Sequence, residues 1–212
     1  YNLLRMKKHK IMQQKKYIAR SMVKKELKFT PKKEKDTKIA RTRDAASLVL
    51  LKKTRKEVKV LLGKRSEKTR FMPGAWVFPG GVLDKSDYKI PETTKLNNNI
   101  IQKLVVSNNV QAANALAIAS IRETVEETGL ILGKKSKNVS HINDENINNG
   151  ITIMSKKGLV PDLAKLVYLG RAITPTFSPI RFHARFFMAD AKHLLGKIKT
   201  TSELVEIKWI PL

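Results

Sequence analysis

Cysteine is absent from this chain of 212 residues, which excludes disulfides, thiolate zinc sites and cysteine nucleophiles. Acidic residues are scarce, with 18 Asp and Glu against 43 Lys and Arg, and the formal net charge is +25. No apolar run reaches the roughly 18–20 residues that a membrane-spanning helix needs, so we expect no membrane span. Hydrophobic residues nevertheless make up 42% of the chain, which excludes a wholly disordered protein and suffices for the core of one domain.

The positive charge is unevenly distributed. Residues 1–43 contain 16 basic and three acidic residues, whereas residues 44–212 contain 27 and 15. Such an excess indicates an anionic partner: nucleic acid, a membrane surface or a phosphorylated small molecule. Lys outnumbers Arg by 32 to 11, however, and Asn and Ile are frequent, which is equally typical of an AT-rich genome. Both interpretations of the charge stay open.

The sequence divides into a basic segment and a globular domain. Residues 1–43 are predicted to form a flexible leader, and residues 44–212 the domain. The leader has no apolar stretch of signal-peptide length, so we expect a cytoplasmic protein from a bacterium with an AT-rich genome, with an organellar location as the alternative. The chain begins at Tyr1 rather than Met, which indicates a fragment or a processed product. It stops at Leu212 directly after a predicted strand, which leaves open a missing C-terminal segment such as a helix completing the substrate pocket.

Hydrophobic patterning within the domain predicts a mixed α/β fold rather than an alternating parallel winding. An Ala-rich stretch without Gly or Pro predicts a long helix over 110–127, with Gly129 where a C′ glycine belongs. A loop is predicted over 133–157. The other predicted elements are a hairpin of strands 45–51 and 58–66, strands at 75–78, 163–173, 181–189 and 204–212, and short helices at 99–106 and 190–196.

The end of the long helix carries three of the scarce acidic residues. Glu123, Glu126 and Glu127 stand at i, i+3 and i+4 and therefore share one helix face. Acidic residues in the last turn are opposed by the helix dipole, and Arg122 can neutralise only part of their charge. A divalent cation would neutralise the rest, and carboxylate oxygens suit Mg²⁺ or Mn²⁺. The alternative is an ordinary solvated acidic face.

Two motifs resemble the two halves of the Nudix box. The first is Phe78-Pro79-Gly80-Gly81 followed, after five residues, by Asp87; the second is the run Arg-Glu-Thr-Val-Glu-Glu-Thr-Gly-Leu over 122–130. The chain is therefore similar to the Nudix hydrolases. It departs from their pattern because Asp87 replaces a Glu and because 34 residues, where seven are usual, separate Asp87 from Arg122. We interpret this as an insertion at about 88–114.

A further resemblance is to the coenzyme A diphosphatase branch, in which the box is interrupted in this way. Residues 61–84 match the pattern of that branch except that Gly63 stands in place of Thr. The stretch over 181–187 is also similar, although His183 stands where an Asp is usual. The resemblance runs from about Asp44 to the C-terminus and does not include the leader.

The resemblance implies an α/β/α sandwich with a mixed central sheet. It also implies metal-dependent hydrolysis of a nucleoside diphosphate linked to another moiety. The favoured substrate is coenzyme A or a derivative, giving 3′,5′-ADP and phosphopantetheine; ADP-ribose or a dinucleotide polyphosphate is the alternative. An RNA-binding protein on the same scaffold is less favoured, because no RNA-binding aromatic motif or zinc module is present. The expected partner is thus an anionic small molecule rather than nucleic acid, and a homodimer stays open.

The resemblance also assigns roles to individual residues. The implied Mg²⁺ or Mn²⁺ ligands are Glu123, Glu126, Glu127 and the Gly80 carbonyl. The general base is Glu123 or Glu203, with Glu206 as a second downstream candidate. The implied substrate-binding residues are Arg65, Arg70, Phe78 and Gly81, with Arg181 and Arg185 as weaker candidates against simple surface charge; Asp87, Arg122 and Gly129 are structural.

Trp76 and Phe78 alternate along one predicted strand. Their rings could stack on an adenine, although aromatic residues in this pattern are more often part of a core. We expect the core interpretation to hold for both.

Overall fold

The structure is a computed structural model that describes residues 39–89, 95–104, 109–137, 139 and 150–212. Its strands are β1 (Arg43–Lys53), β2 (Val58–Arg65), β3 (Trp76–Val77), β4 (Gly80–Val82), β5 (Leu130–Ile131), β6 (Gly133–Lys135), β7 (Leu159–Pro161), β8 (Val167–Ile173), β9 (Phe182–Asp190), β10 (Leu195–Gly196) and β11 (Leu204–Pro211). Its α-helices are α1 (Asn98–Lys103), α2 (Val110–Thr128) and α3 (Gly150–Ser155).

The main sheet is mixed. Its five long strands run in the order β11-β2-β1-β9-β8, and neighbouring strands are antiparallel except for the parallel pair β1 and β9. The short strands β3 and β4 extend it by pairing with β2 and β1. Two further two-stranded sheets pair β5 with β10 and β6 with β7. The predicted α/β class with a mixed central sheet is confirmed.

Helix α2 packs against the sheet and forms the core with it. Asn109 caps its first turn by accepting a hydrogen bond from the Ala112 amide at 3.0 Å. Gly129 ends it in the left-handed conformation, at φ 71°. Because most α2 side chains are buried, among them Ala113, Leu116 and Ile121, the helix lies directly on β1. The predicted long helix is confirmed, one residue longer than expected.

The predicted loop over 133–157 is wrong at both of its ends. Residues 133–135 form β6, and residues 150–155 form α3. Helix α3 is short and rich in β-branched residues, so its propensity is poor. It forms because Ile151 and Met154 are buried in the core beside α2. Residue 138 and residues 140–149 lie outside the described part.

Two other predicted elements need correction. The predicted helix over 190–196 is a single 3-10 turn, Ala191–His193, followed by β10, which pairs with β5. The predicted strand over 163–173 starts only at Val167, because Leu163–Lys165 form a 3-10 turn.

Several predictions fall partly outside the described residues. Residues 1–38 of the predicted leader do so, as do residues 90–94 and 105–108 of the predicted insertion. The domain boundary predicted at residue 44 therefore stays a prediction; strand β1 begins at Arg43. In the parts of the chain that the structure describes, no helix is both long enough and apolar enough to cross a membrane.

Candidate metal and diphosphate site

The Gly-Gly sequence of β4 lies directly against the acidic end of α2. Gly80 and Gly81 pair with Ser47 and Ala46 of β1, which fixes their position beneath the helix. The Gly80 amide donates a hydrogen bond to Oε2 of Glu127 at 2.9 Å. A Cβ atom on Gly81 would overlap the Glu123 carboxyl group. Glycine at these positions therefore lets the strand backbone approach the carboxylates closely.

Arg122 and Asp87 form a buried ion pair despite the 34 residues between them. Nε of Arg122 lies 2.8 Å from Oδ1 of Asp87, and Nη2 lies 3.1 Å from Oδ2. Nη2 also donates to the Val82 carbonyl at 3.0 Å. The exposed fractions are only 1% for Asp87 and 5% for Arg122. The two parts of the motif are thus in contact although they are far apart in the sequence.

The same guanidinium reaches two of the three helix carboxylates. Nη1 of Arg122 lies 2.9 Å from Oε1 of Glu123 and 3.2 Å from Oε2 of Glu126. The other oxygen of Glu126 accepts a hydrogen bond from the Gly150 amide at 2.7 Å, at the start of α3. A cavity of about 440 Å³ opens beside this group; it is lined by Val82, Leu83, Asp84, Ser86, Arg122, Glu123 and Glu126.

The positive charge around Glu123 and Glu127 does not balance the effect of burial on these two carboxylates. Burial raises the pKa of Glu127 to about 8, with Glu123 and Glu203 adding to the effect and the Gly80 amide and Arg65 opposing it. Burial likewise raises the pKa of Glu123 to about 7, against the influence of Arg122 and with that of Glu126 and Glu203. Two acids at the bottom of the site therefore resist ionisation until a further cation reaches them.

The donor set fits a divalent cation. Three carboxylates on one helix face supply the hard oxygen ligands that Mg²⁺ and Mn²⁺ prefer, and two of them lack a full counter-charge. Across the described residues, no three His, Asp or Glu side chains already converge on one point as a metal cage would. Arg122 instead bridges Glu123 and Glu126, so a cation held by Glu126 would replace one of the contacts of that carboxylate.

The two downstream acids that were predicted as candidate bases lie just before β11 and on it. Glu203 is exposed just before β11, where its carbonyl accepts the Ser66 amide at 3.0 Å, and its charge acts on both Glu123 and Glu127. Glu206 instead forms an ion pair with Lys208 on its own strand. Glu203 is therefore the downstream acid that the fold brings to the site.

Arg65 and Arg70 have different surroundings. Arg65 ends β2, and its charge reaches Glu127. Its Nε is buried, and no residue in the described part of the chain accepts a hydrogen bond from it. Arg70 is exposed in the following loop. Of the two, Arg65 lies nearer to the carboxylates.

Phe78 and Trp76, the two aromatic residues predicted to alternate along one strand, have different surroundings. Phe78 is partly buried and packs edge-on against Phe186, with ring centroids 6.3 Å apart. Trp76 is 37% exposed, with Lys208 above its ring, so the core interpretation is wrong for Trp76.

Arg181 and Arg185 are not simple surface charges. Arg181 donates to the carbonyls of Ala40 and Thr174, at 2.8 and 3.0 Å, and so ties the chain before β1 to the end of β8. Arg185 is only 3% exposed and pairs with Asp44.

Sequence reasoning missed the contribution of Gly150. Its amide holds Glu126, and a Cβ there would overlap the Arg122 carbonyl. No periodic pattern marked the residue, because it follows an Asn-rich stretch that favours a loop.

No protein-family model matches the chain. A Caenorhabditis elegans protein that is itself named as a nudix hydrolase is 29% identical over 180 residues, which cover 79% of this chain and 51% of that protein. The crystal structure of a Nudix hydrolase from Alicyclobacillus acidocaldarius superposes with a TM-score of 0.58 at 28% identity, over 81% of this chain and 79% of that one. The chain is thus similar in sequence and in fold to Nudix hydrolases.

A second relative of this chain is an acyl-coenzyme A diphosphatase from Xenopus laevis. It is 31% identical over 97 residues, which cover 36% of this chain and 26% of that protein. The chain thus spans about half the length of the first relative and about a quarter of the second.

Proposed function

We propose that this protein hydrolyses a nucleoside diphosphate linked to another moiety, with Mg²⁺ or Mn²⁺ bound at the end of α2. The observation that carries the proposal is the pair of acids formed by the partly buried Glu123 and the buried Glu127, which lie against Gly81 and Gly80 and have pKa values raised to about 7 and about 8. A fold that buries acids without full compensation is suited to a cation and to the anionic substrate that the cation neutralises.

We further propose coenzyme A or one of its derivatives as the substrate, with 3′,5′-ADP and phosphopantetheine as products. Two observations support this choice: the pattern over residues 61–84, which lies on β2 to β4 next to the carboxylates, and the similarity to an acyl-coenzyme A diphosphatase. ADP-ribose and dinucleotide polyphosphates remain the alternative substrates, since they contain the same diphosphate.

Each residue of the site has a distinct task in this proposal. Glu123, Glu126 and Glu127 would hold the cation together with the Gly80 carbonyl. When bound, the cation supplies charge neutralisation and a more acidic water. Arg122 orients two of the carboxylates, and the Gly80 amide orients the third.

The substrate and the attacking water need further groups. Arg65 and Arg70 would bind phosphate oxygens, which guanidinium groups contact in a forked geometry. Glu203 or Glu123 would accept the proton of the attacking water. Glu203 is exposed and near both Glu123 and Glu127, which suits a group that exchanges protons with solvent.

The test is hydrolysis of a panel of diphosphates by the full chain, followed by product masses. Coenzyme A, acetyl-coenzyme A, ADP-ribose and a dinucleotide polyphosphate are each incubated with Mg²⁺, with Mn²⁺ and with EDTA. We expect cleavage of coenzyme A to products with the masses of 3′,5′-ADP and phosphopantetheine, and none in EDTA. Cleavage of ADP-ribose alone would overturn the substrate assignment, and no cleavage of any diphosphate would overturn the activity.

A further inference from the structure

A second polar cluster lies on the face of the sheet that α2 covers, away from the glutamates. The strand register places Gly81, Ala46, Arg185 and Arg171 side by side in one row across β4, β1, β9 and β8. Directly opposed residues in neighbouring strands project from the same face, and Gly81 meets Glu123 on that face. Since adjacent strands lie about 4.8 Å apart, Arg185 is about 10 Å and Arg171 about 14 Å from Gly81 along the row.

Arg185 is the buried member of the cluster. Its Nη1 donates to the Asp44 carboxylate and, at 2.8 Å, to the His183 carbonyl. Its Nε is buried and has no hydrogen-bond partner among the residues that the structure describes. A charged donor left unsatisfied in a buried position is unfavourable unless an acceptor or an anion reaches the group.

Arg171 and His183 complete the cluster at the outer edge of the sheet. Nη1 of the exposed Arg171 lies 3.3 Å from Nε2 of His183. Because a guanidinium can only donate, Nε2 must accept, so His183 is neutral and carries its proton on Nδ1. Burial and the charge of Arg185 lower the pKa of His183 and so favour that neutral form. With two guanidiniums and one carboxylate, from Asp44, the cluster has a net charge of +1.

Tyr168 adds a hydroxyl to the surroundings of this cluster. Its ring packs on Phe187 with centroids 5.8 Å apart, and burial raises the pKa of its hydroxyl against the opposing charges of Arg185 and Arg171. The cluster therefore presents cationic and neutral donors at an open edge, held by a buried core. That composition suits an anion with several acceptor oxygens.

We propose that Arg171, Arg185 and His183 form a second anion subsite, which binds a phosphomonoester on the nucleotide whose diphosphate lies at the α2 glutamates. This inference rests on the proposed function. The separation along the row places the subsite too far away for the reacting diphosphate itself, yet still along the same sheet face. Asp44 positions Arg185, and its negative charge lowers the affinity of the subsite for anions that lack several acceptor oxygens.

The test is isothermal titration calorimetry of the full chain, without metal, using adenosine 3′,5′-bisphosphate and AMP. We expect wild type to bind the bisphosphate about tenfold more tightly than AMP, because of the added charged hydrogen bonds. Arg171→Gln should remove that advantage and change the affinity for AMP by less than about twofold. Arg171 is exposed, so this variant should fold; Arg55→Gln, in the turn between β1 and β2, is the matched control and should change neither affinity.

Two results would overturn the subsite: equal binding of both nucleotides by wild type, or an equal loss for both in Arg171→Gln. Hydrolysis of coenzyme A and of its 3′-dephospho form by the same proteins separates this inference from the proposed function. If neither compound is cleaved with Mg²⁺ or Mn²⁺, the proposed activity fails, while unequal binding of the two nucleotides would still support the subsite.

Discussion

The guanidinium of Arg122 contacts three carboxylates and one backbone carbonyl. It joins the 3-10 turn Lys85–Lys89, which carries Asp87, to the end of α2, and it sets the direction of Glu123 and Glu126. A buried ion pair of this kind is costly to form, and losing one partner leaves the other charge buried and unmatched. The geometry of the candidate site therefore depends on both members of the pair.

Replacing Asp87 by Ala should lower the free energy of unfolding by about 3 kcal/mol, because it removes the most deeply buried carboxylate of Arg122 and leaves two guanidinium donors without their acceptor. Urea denaturation followed by circular dichroism measures the change. The matched control is Glu57→Ala, which removes an exposed ion pair to Lys59 and should cost less than about 1 kcal/mol. If both variants lose a similarly small free energy of unfolding, the Asp87–Arg122 pair contributes no more to stability than an exposed ion pair.

The raised pKa values of Glu127 and Glu123 predict a pH-dependent stability in metal-free protein. Both groups hold protons more tightly in the folded chain, at about 8 and about 7, than in the unfolded chain, at 4.5. Their contribution is therefore fully present below pH 4.5 and is lost as pH rises through 7 to 8. We expect the Tm in EDTA to fall over that range, and Glu127→Gln to make the fall smaller.

The stabilisation that divalent cations give should increase with pH, whereas the stability of the metal-free protein decreases. Because a cation binds the ionised carboxylates, Mg²⁺ or Mn²⁺ should raise the Tm more at pH 8 than at pH 5.5. Thermal melts at the two pH values give both results. A Tm shift that is the same at both pH values would contradict metal binding by these acids.

The contact between β4 and α2 is the element-level feature that forms the site. Two short segments, far apart in sequence, meet because the Gly-Gly backbone fits against the carboxylates. Pairing with β1 holds β4 in place, and the packing of α2 on the same strand holds the helix. The position of the acids thus depends on one central strand.

Gly81→Ala should displace the Glu123 carboxyl group, because the added methyl would overlap it. We expect kcat/KM for the diphosphate substrate to fall by about 100-fold, the scale of misplacing one catalytic group. Glu57→Ala is the control, since Glu57 is exposed in the turn between β1 and β2. A Gly81→Ala enzyme as active as this control would show that Glu123 does not need the position it occupies.

The sequence predicts the elements whose local signals agree with the tertiary structure. Helix α2 has high propensity, a capping Asn and a terminal Gly, so its bounds were predicted to within one residue. Helix α3 has none of these signals and depends on burial of Ile151 and Met154 and on the Glu126 carboxylate at its first amide. Such an element is specified by contacts distant in sequence, which periodicity cannot detect.

Among the charged residues, too, those with a local sequence signal were predicted, and those that depend on contacts distant in sequence were not. Glu123, Glu126 and Glu127 were predicted as a group because their spacing places them on one helix face. The burial of Arg185 and its pairing with Asp44 could not be predicted, because they depend on the parallel register of β1 and β9. Charged residues on a strand look alike in sequence whether they face solvent or a neighbouring strand.

At the scale of the whole molecule, a large part of the net charge of +25 lies in a different segment of the sequence from the glutamates of the site. Residues 1–43 hold 16 of the 43 basic residues, whereas the glutamates of the site lie on a helix in the rest of the chain. A positive field around an acidic, cation-binding site favours the approach of an anionic substrate, and salt weakens that effect. The charge is thus compatible with a diphosphate as the partner.

Removing residues 1–38 should leave hydrolysis unchanged to within about twofold in kcat/KM, because each contact described for the site is made within residues 39–212. The deletion removes 14 basic and three acidic residues, so any salt-sensitive RNA binding should weaken strongly. Activity assays and RNA gel shifts on the same two proteins measure both effects. Loss of hydrolysis together with unchanged RNA binding would contradict this division of the chain.

The most direct test is the turnover of coenzyme A with saturating Mg²⁺ by wild type, Glu127→Gln and Glu57→Gln. Glu127 is 4% exposed and is held by the Gly80 amide, a contact that the glutamine carbonyl can keep, so the variant should fold. We predict that Glu127→Gln loses at least about 100-fold in kcat, because a neutral amide is a poor ligand for Mg²⁺, while Glu57→Gln matches wild type. Full Mg²⁺-dependent turnover by Glu127→Gln would contradict the assignment of the α2 glutamates as the catalytic metal site.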